Sequence, residues 1–336
     1  MPAQVESMMF AGETPWHREG VYVGDHNLTS EGAIVKAGLD WEVEQVPFYT
    51  MELKAHTGPK SDVEFNSPAG SPEIFNAKEV EGLKIVRRVR DKNVYGVFTD
   101  AYEPLQNRDA FGFIDSLVET GGVTIHTAGS LQGGKRVWIL AKLPNVMEVL
   151  RDDIVDKYLL FANSHDGSLA VTALFTPIRV VCCNTLSLAL SSRDKARTVK
   201  FRHSKNVMEK VEEAKNILGI ANQEFEKSLE MYKAFAVKQM NFSKLQSFVE
   251  ELFPKLEDKE EASTRTQNIR NKVLKLHEDG IGTDIAGVRG TGWGVYNAVV
   301  EYADFERGRD SSRLNSAWFG SGAQLKSRAA QLLAAA

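Results

Sequence analysis

Thr176-Pro-Ile-Arg-Val-Val-Cys-Cys-Asn-Thr-Leu-Ser-Leu-Ala-Leu190 decides how this chain is read, because it changes hydrophobic period within fifteen residues and carries one cation, Arg179. Ala170 to Val181 is rich in β-branched and aromatic residues and predicts a buried strand, whereas Asn184 to Leu190 reads as an N-capped helical turn. A strand running straight into a helix gathers backbone N–H groups and a cation near one point. That suits an anion such as phosphate, and a buried ion pair would leave the same pattern. Both readings of Arg179 stay open at this level.

Outward from that stretch the chain alternates strands and tight turns. Tyr158 to Ser164 and Leu169 to Val181 flank Asp166-Gly167, and Val123 to Leu131 and Arg136 to Leu143 flank Gly133-Gly134. Gly-rich pairs of this kind supply the positive φ that two-residue hairpins require. Ile85 to Arg90 and Val94 to Thr99 form a third hairpin around Asp91-Lys92-Asn93. Between the hairpins, Asn107 can cap a helix whose Phe111, Ile114, Leu117 and Val118 recur at helical spacing until Gly121-Gly122. Trp41 to Met51 alternates like a strand, and Ala55 to Pro72, with three Pro, two Gly and three Ser, reads as an exposed loop.

After Lys205 the pattern becomes helical. Val207, Val211, Ala214, Leu218, Ala221, Phe225, Leu229, Tyr232 and Ala236 are separated by threes and fours, the seam of a helix that packs lengthwise and reaches about 50 Å. Such an arm packs on its own domain or on a second subunit. Helices over Ser243–Phe253, Thr266–His277, Gly294–Phe305 and Gln324–Leu333 follow, with 256–261 as a charged connector. The expected fold class is therefore α+β: antiparallel hairpins with a packed helix, a β-β-α type core, followed by a helical C-terminal region. The divisions are 1–75, 76–204, 205–262 and 263–336.

Composition narrows the function. The chain has 336 residues, 43% hydrophobic and 26% charged, enough for one large or two modest cores. Its longest apolar runs, such as Trp138 to Ala141, are too short to span a bilayer, and the first ten residues lack a signal-peptide pattern. A cytoplasmic protein is expected. The only two cysteines, Cys182 and Cys183, are adjacent, and the seven histidines show no metal-ligand spacing, so neither a disulfide framework nor a zinc site is expected. Gly280 to Gly294 is rich in glycine but lacks the Lys-Ser or Lys-Thr and the preceding strand of a phosphate loop. No cofactor and no catalytic residue are expected.

The net charge of −4 conceals local basic segments. Lys84 to Lys92 holds five cations in nine residues, and Arg193 to Lys205 holds six Lys or Arg against Asp194 alone. Tyr95, Phe98 and Tyr102 accompany the first segment, Trp138 follows Lys135-Arg136, and Phe201 interrupts the second. Cations that track a backbone beside stacking planes are what single strands require, although ordinary strand alternation of core and surface gives a similar pattern.

Gly12-Glu-Thr-Pro-Trp-His17, Tyr102-Glu-Pro-Leu-Gln-Asn107, the Thr176 to Leu186 phrase, Thr291-Gly-Trp-Gly-Val-Tyr-Asn-Ala298 and Ser316-Ala-Trp-Phe-Gly-Ser-Gly322 together resemble the phage/plasmid-like proteins catalogued as a domain of unknown function. This resemblance covers nearly the whole chain. It implies a mobile-element origin and carries no established reaction. The order of hairpins and helix is also similar, in topology only, to phage single-strand annealing proteins of the RecT, Redβ and Erf type. The function expected is a non-enzymatic, homo-oligomeric single-stranded DNA-binding protein that anneals strands in recombination or replication. Arg87, Arg88, Arg90, Lys135, Arg136, Arg179, Arg197, Lys200 and Arg202 are the candidate phosphate contacts, with the long helix joining subunits and phage or host replication proteins as further partners. The alternative is a host-directed interaction or inhibitor protein that uses its acidic helical region.

Overall fold

A computed structural model describes residues 5–15, 20–24, 28–53, 74–119, 122–169, 172–182, 184–185, 199–200, 207–255 and 261–335. In chain order the elements are β1 (Val5–Phe10), β2 (Val21–Tyr22), α1 (Ser30–Lys36), β3 (Val43–Leu53), β4 (Ile74–Arg88), β5 (Val94–Thr99), α2 (Asn107–Phe111) and α3 (Ile114–Glu119). Next come β6 (Thr124–Leu131), β7 (Arg136–Lys142), β8 (Met147–Leu150), β9 (Asp153–Ser164), β10 (Thr172–Arg179), β11 (Asn184–Thr185) and β12 (Val199–Lys200). The helices α4 (Val207–Val237), α5 (Phe242–Leu252), α6 (Thr264–Asp279) and α7 (Gly292–Glu301) follow; a π-helical turn (Tyr302–Glu306), α8 (Asp310–Phe319) and α9 (Ser321–Ala335) complete the series. The chain is α+β, as its patterning implies, and it divides into two compact units.

The larger unit comprises 1–40, 107–164 and 168–336. Its strands pair in the order β11-β10-β9-β7-β6-β1-β2, with β12 on β10 and β8 on β9, and every pairing but β1 with β2 is antiparallel. The β6–β7 turn places Gln132, Gly133 and Gly134 at positive φ, as the Gly pair predicts. Strand alternation gives the sheet two apolar faces. Trp138, Leu140, Leu160 and Ile178 on one face pack with Leu314 and Trp318 of α8. On the other, the Phe161 ring meets Phe113 edge-on at 5.2 Å, and Phe175 meets Phe225 of α4 at 6.2 Å.

The apolar seam of α4 is used inside this unit. Ile217, Ala221, Phe225, Tyr232 and Phe235 are buried, and the Tyr232 ring lies 5.0 Å from Trp293 of α7. Of the two roles expected of such a seam, packing on its own unit is the one these contacts display, against the sheet and α7. Helix α7 is buried on every side, which accounts for its nearly uniform apolar and small-residue composition.

The smaller unit comprises 41–106 with 165–167, built on the sheet β3-β4-β5. Its core stacks Trp41, Tyr95 and His165, with ring centroids 5.2 to 6.1 Å apart. The outer edge of β3 is closed by a side chain: Gln106 donates to the Val43 carbonyl at 2.9 Å and accepts from the Val43 N–H at 3.0 Å, standing in for a neighbouring strand. Pro47, in an equivalent outward position, has no N–H to leave open.

Three local expectations differ from the structure. The single helix expected from Asn107 is two short ones, interrupted at Gly112 and Phe113. Asn184, expected as a helix cap, lies with Thr185 in β11, paired with Arg179 and Ile178, and its amide goes to Asn297. Cys182 lies in the turn after β10 rather than within a strand. The expected loop Ala55–Pro72, Leu186–Leu190 and Cys183 lie outside the described residues.

Candidate functional site

Two of the stretches singled out in the sequence, the one around Arg179 and the glycine-rich loop 280–294 leading into α7, meet in one polar spine inside the larger unit. Asp153 opens β9 and Arg179 closes β10, and their pairing register brings the two together. Arg179 Nε and Nη2 donate to the two Asp153 carboxylate oxygens at 2.7 and 2.8 Å, a bidentate pair in which both residues are 0% exposed. Trp293 Nε1 donates to the same carboxylate at 2.8 Å, and the guanidinium lies over the Trp293 ring. The Gly280–Gly294 loop turns carbonyls toward the cation: Arg179 donates to Gly282 at 3.2 Å and to Ile281 at 3.4 Å. Burial, the largest single influence, lowers the Arg179 pKa; the hydrogen bonds to Asp153 and the interactions with Cys182 and the Asp153 charge together outweigh it and raise the pKa.

This geometry decides between the two readings of Arg179. A phosphate cradle needs converging N–H donors, and the loop offers acceptors to a guanidinium already neutralised by Asp153. Arg179 is therefore a buried ion pair and is withdrawn from the phosphate contacts. A Cβ at Gly282 would come within 3.1 Å of both Arg179 terminal nitrogens, and its φ is +76°, so glycine is required there.

A second buried pair continues the spine. Lys326 Nζ donates to Asp304 Oδ1 at 2.9 Å and to the Thr185 hydroxyl and carbonyl at 2.6 and 2.8 Å, while Asp304 Oδ2 accepts from the Thr185 N–H and hydroxyl. Asn184 reaches Asn297 of α7, whose own amide returns to the Trp293 carbonyl. Glu301 accepts from the Ile281 N–H, and burial pushes its pKa up. Burial also pushes the Cys182 thiol up to about 12, leaving it unreactive at neutral pH. The spine fixes where β10, β11, the glycine loop, α7 and α9 meet.

The other candidate cations divide between the units. In the smaller one, Arg87 and Lys92 both pair with Glu44, at 2.9 and 3.0 Å, and their hydrogen bonds, Lys92 first, hold the Glu44 carboxyl below its usual range. Arg88 is 3% exposed, lies over Trp41 and clasps Asp91, whose pKa it lowers to about 2. Its burial removes Arg88 from the phosphate contacts as well. Arg90 is exposed. In the larger unit Lys135 is half-buried, and Arg136 is held by Ser168 and Asn315 over the Phe319 ring. Lys200 lies in β12, opposite Thr172; Arg197 and Arg202 lie outside the described residues.

Sequence reasoning missed Asp153, Asp304 and Lys326. The local signal was weak: Asp304 shares the largely apolar stretch 295–305 with Asn297 and Glu301, and Lys326 stands among Gln324, Ser327 and Arg328 as a surface lysine would. Among the described residues, no group of three or more His, Cys, Asp or Glu is placed to hold a metal ion, and no helix is long and apolar enough to cross a membrane.

Fold and site together define an α+β protein whose larger unit is built around a buried polar spine. The chain belongs to the family described as Domain of unknown function (DUF932), whose model matches residues 94–326, from β5 to α9. No curated protein and no solved structure matches the chain.

Proposed function

We propose that this chain is a non-enzymatic single-stranded DNA-binding protein that anneals strands in the recombination or replication of a mobile element. One observation carries the reading. The segment Arg193–Lys205, six cations against one carboxylate, is joined to the large sheet by the pairing of Val199 and Lys200 with Ala173 and Thr172. A dense run of cations tethered to a rigid sheet can track a phosphate backbone through counterion release. The antiparallel strands followed by the 31-residue α4 add support through topology alone.

The experiment is a titration of fluorescent single-stranded DNA at several salt concentrations. Replacing Arg197, Lys200 and Arg202 together with Gln is expected to reduce the slope of log affinity against log salt by about two to three, with circular dichroism unchanged. Equal slopes for two folded proteins would remove the segment from the interface. Undetectable binding by the wild type at low salt would end the reading.

A protein-interaction role is favoured by a different observation. Val46, Ile85 and Val97 form one row across the smaller sheet, and Val94 and Val97 of β5 are 51% and 46% exposed. Beside that row the Glu44 ion pairs give a polar rim to an apolar centre, the anatomy of a protein interface.

A further inference from the structure

At the Lys142 end of β7 the large sheet opens into a cleft of about 220 Å³, walled by Ala11, Gly12 and Glu13 and floored by Thr124, Ile125, His126, Lys142 and Tyr158. A β-bulge between Ile125 and Thr127 sets His126 outside the strand pairing. Bulges re-aim side chains in this way beside functional sites. His126 Nε2 lies 2.8 Å from the Glu13 carbonyl, and the Ala11 N–H donates to the His126 carbonyl at 2.8 Å. A carbonyl oxygen only accepts, so Nε2 carries the proton. The bulge residue thus pins the wall by side chain and backbone together.

The floor holds unused donors. Thr124 and Lys142 are register partners and project from the same face of the sheet. The Lys142 ammonium, 33% exposed, sits 2.7 Å from Asp156, which takes one of its three N–H groups. The ammonium also lies over the Tyr158 ring, 5.9 Å from its centroid; among the described residues no second oxygen accepts from it, and none pairs with the exposed Thr124 hydroxyl. Three donors and one cation therefore face the cleft, while its Ala11 and Ile125 are buried in the core. The carboxylate of Glu13 is exposed to solvent, where salt screens it.

We propose that this cleft seats a phosphate group of a nucleotide, with two Lys142 N–H groups and the Thr124 hydroxyl as donors. This rests on the nucleic-acid reading for its choice of phosphate over other oxyanions. The phosphate belongs either to a bound strand or to a free mononucleotide.

Isothermal calorimetry on the full chain separates these sources, using thymidine monophosphate, thymidine, inorganic phosphate and a short oligo-dT as probes. The wild type is expected to bind the monophosphate, with inorganic phosphate competing and thymidine not. Lys142→Met is expected to weaken it about tenfold or more, Lys142→Arg to keep it, and Thr124→Val to weaken it a few-fold. Should the lone Asp156 carboxylate stop Lys142→Met from folding, the double variant Lys142→Met with Asp156→Leu removes both charges. Monophosphate binding that is absent in the folded wild type, unchanged in the folded Lys142 variant, or matched by thymidine overturns the proposal. Oligo-dT binding that survives such a failure leaves the basic segment as the interface. Monophosphate binding without any oligo-dT binding supports the cleft and overturns the strand-annealing function.

Discussion

Arg179 shows what one residue discloses and what it withholds. A lone cation in an apolar strand announces that some oxygen must meet it, but the sequence holds 45 Asp and Glu and does not say which. The partner, Asp153, is selected by strand register, and the covering carbonyls of Ile281 and Gly282 come from more than a hundred residues away. Removing one partner of such a pair leaves an uncompensated buried charge. Arg179→Met is expected to destabilise the fold by about 3–5 kcal/mol, and adding Asp153→Leu to recover much of that loss. Urea unfolding of the two variants measures both. A fully stable Arg179→Met that had lost DNA binding would instead return Arg179 to the surface role. Asn184 was misread for a related reason: an Asn before an apolar run is an ordinary cap signal, but here its amide is claimed by Asn297 and its backbone by β10.

At the scale of elements, legibility follows the strength of local patterning. The hairpins with Gly-rich turns and the long α4 were readable because alternation, turn chemistry and helical spacing are written within each segment. Helix α1 was not read, since Gly32 dilutes a short amphipathic stretch that only its Thr29 cap marks. Helix α8 escaped because Leu314 and Trp318 show their purpose only against Trp138 of the sheet. For α4 the sequence supplied the seam without the surface that covers it. Phe225, 1% exposed and against Phe175, now carries a distinct expectation. Phe225→Ala should cost about 3–5 kcal/mol of stability while leaving the mass in solution unchanged. Chemical denaturation and multi-angle light scattering read the two effects, and a stable variant with a smaller assembly would instead make the helix a subunit contact.

For the whole molecule, burial of titratable groups sets a window of stability. Burial lowers the pKa of His126 and His277 and takes His165 to about 4, all from an ordinary 6.5. Below pH 6.5 the unfolded chain therefore binds more protons than the folded one, and stability declines as the pH falls toward 4. Cys182 acts at the other end: its folded pKa of about 12 exceeds the usual 9.0, so stability declines as the pH rises beyond 9. Glu301, with its folded pKa raised above 4.5, partly opposes the histidines, because its contribution is greatest in acid. Thermal midpoints are expected to be highest between about pH 6.5 and 9; a midpoint still rising from pH 6 to 5 would contradict that burial pattern. None of this window was visible in the sequence, which gives seven histidines and no depth for any of them. The spine also has a history in time. Ile281 follows Arg179 by 102 residues, so at roughly 5–20 residues per second the guanidinium waits about 5–20 s during synthesis for the loop that dries it. Until then Arg179 and Asp153 meet in water, where their attraction is weak. The nascent sheet is thus held provisionally, and it becomes committed only when the glycine loop and α7 arrive to exclude solvent.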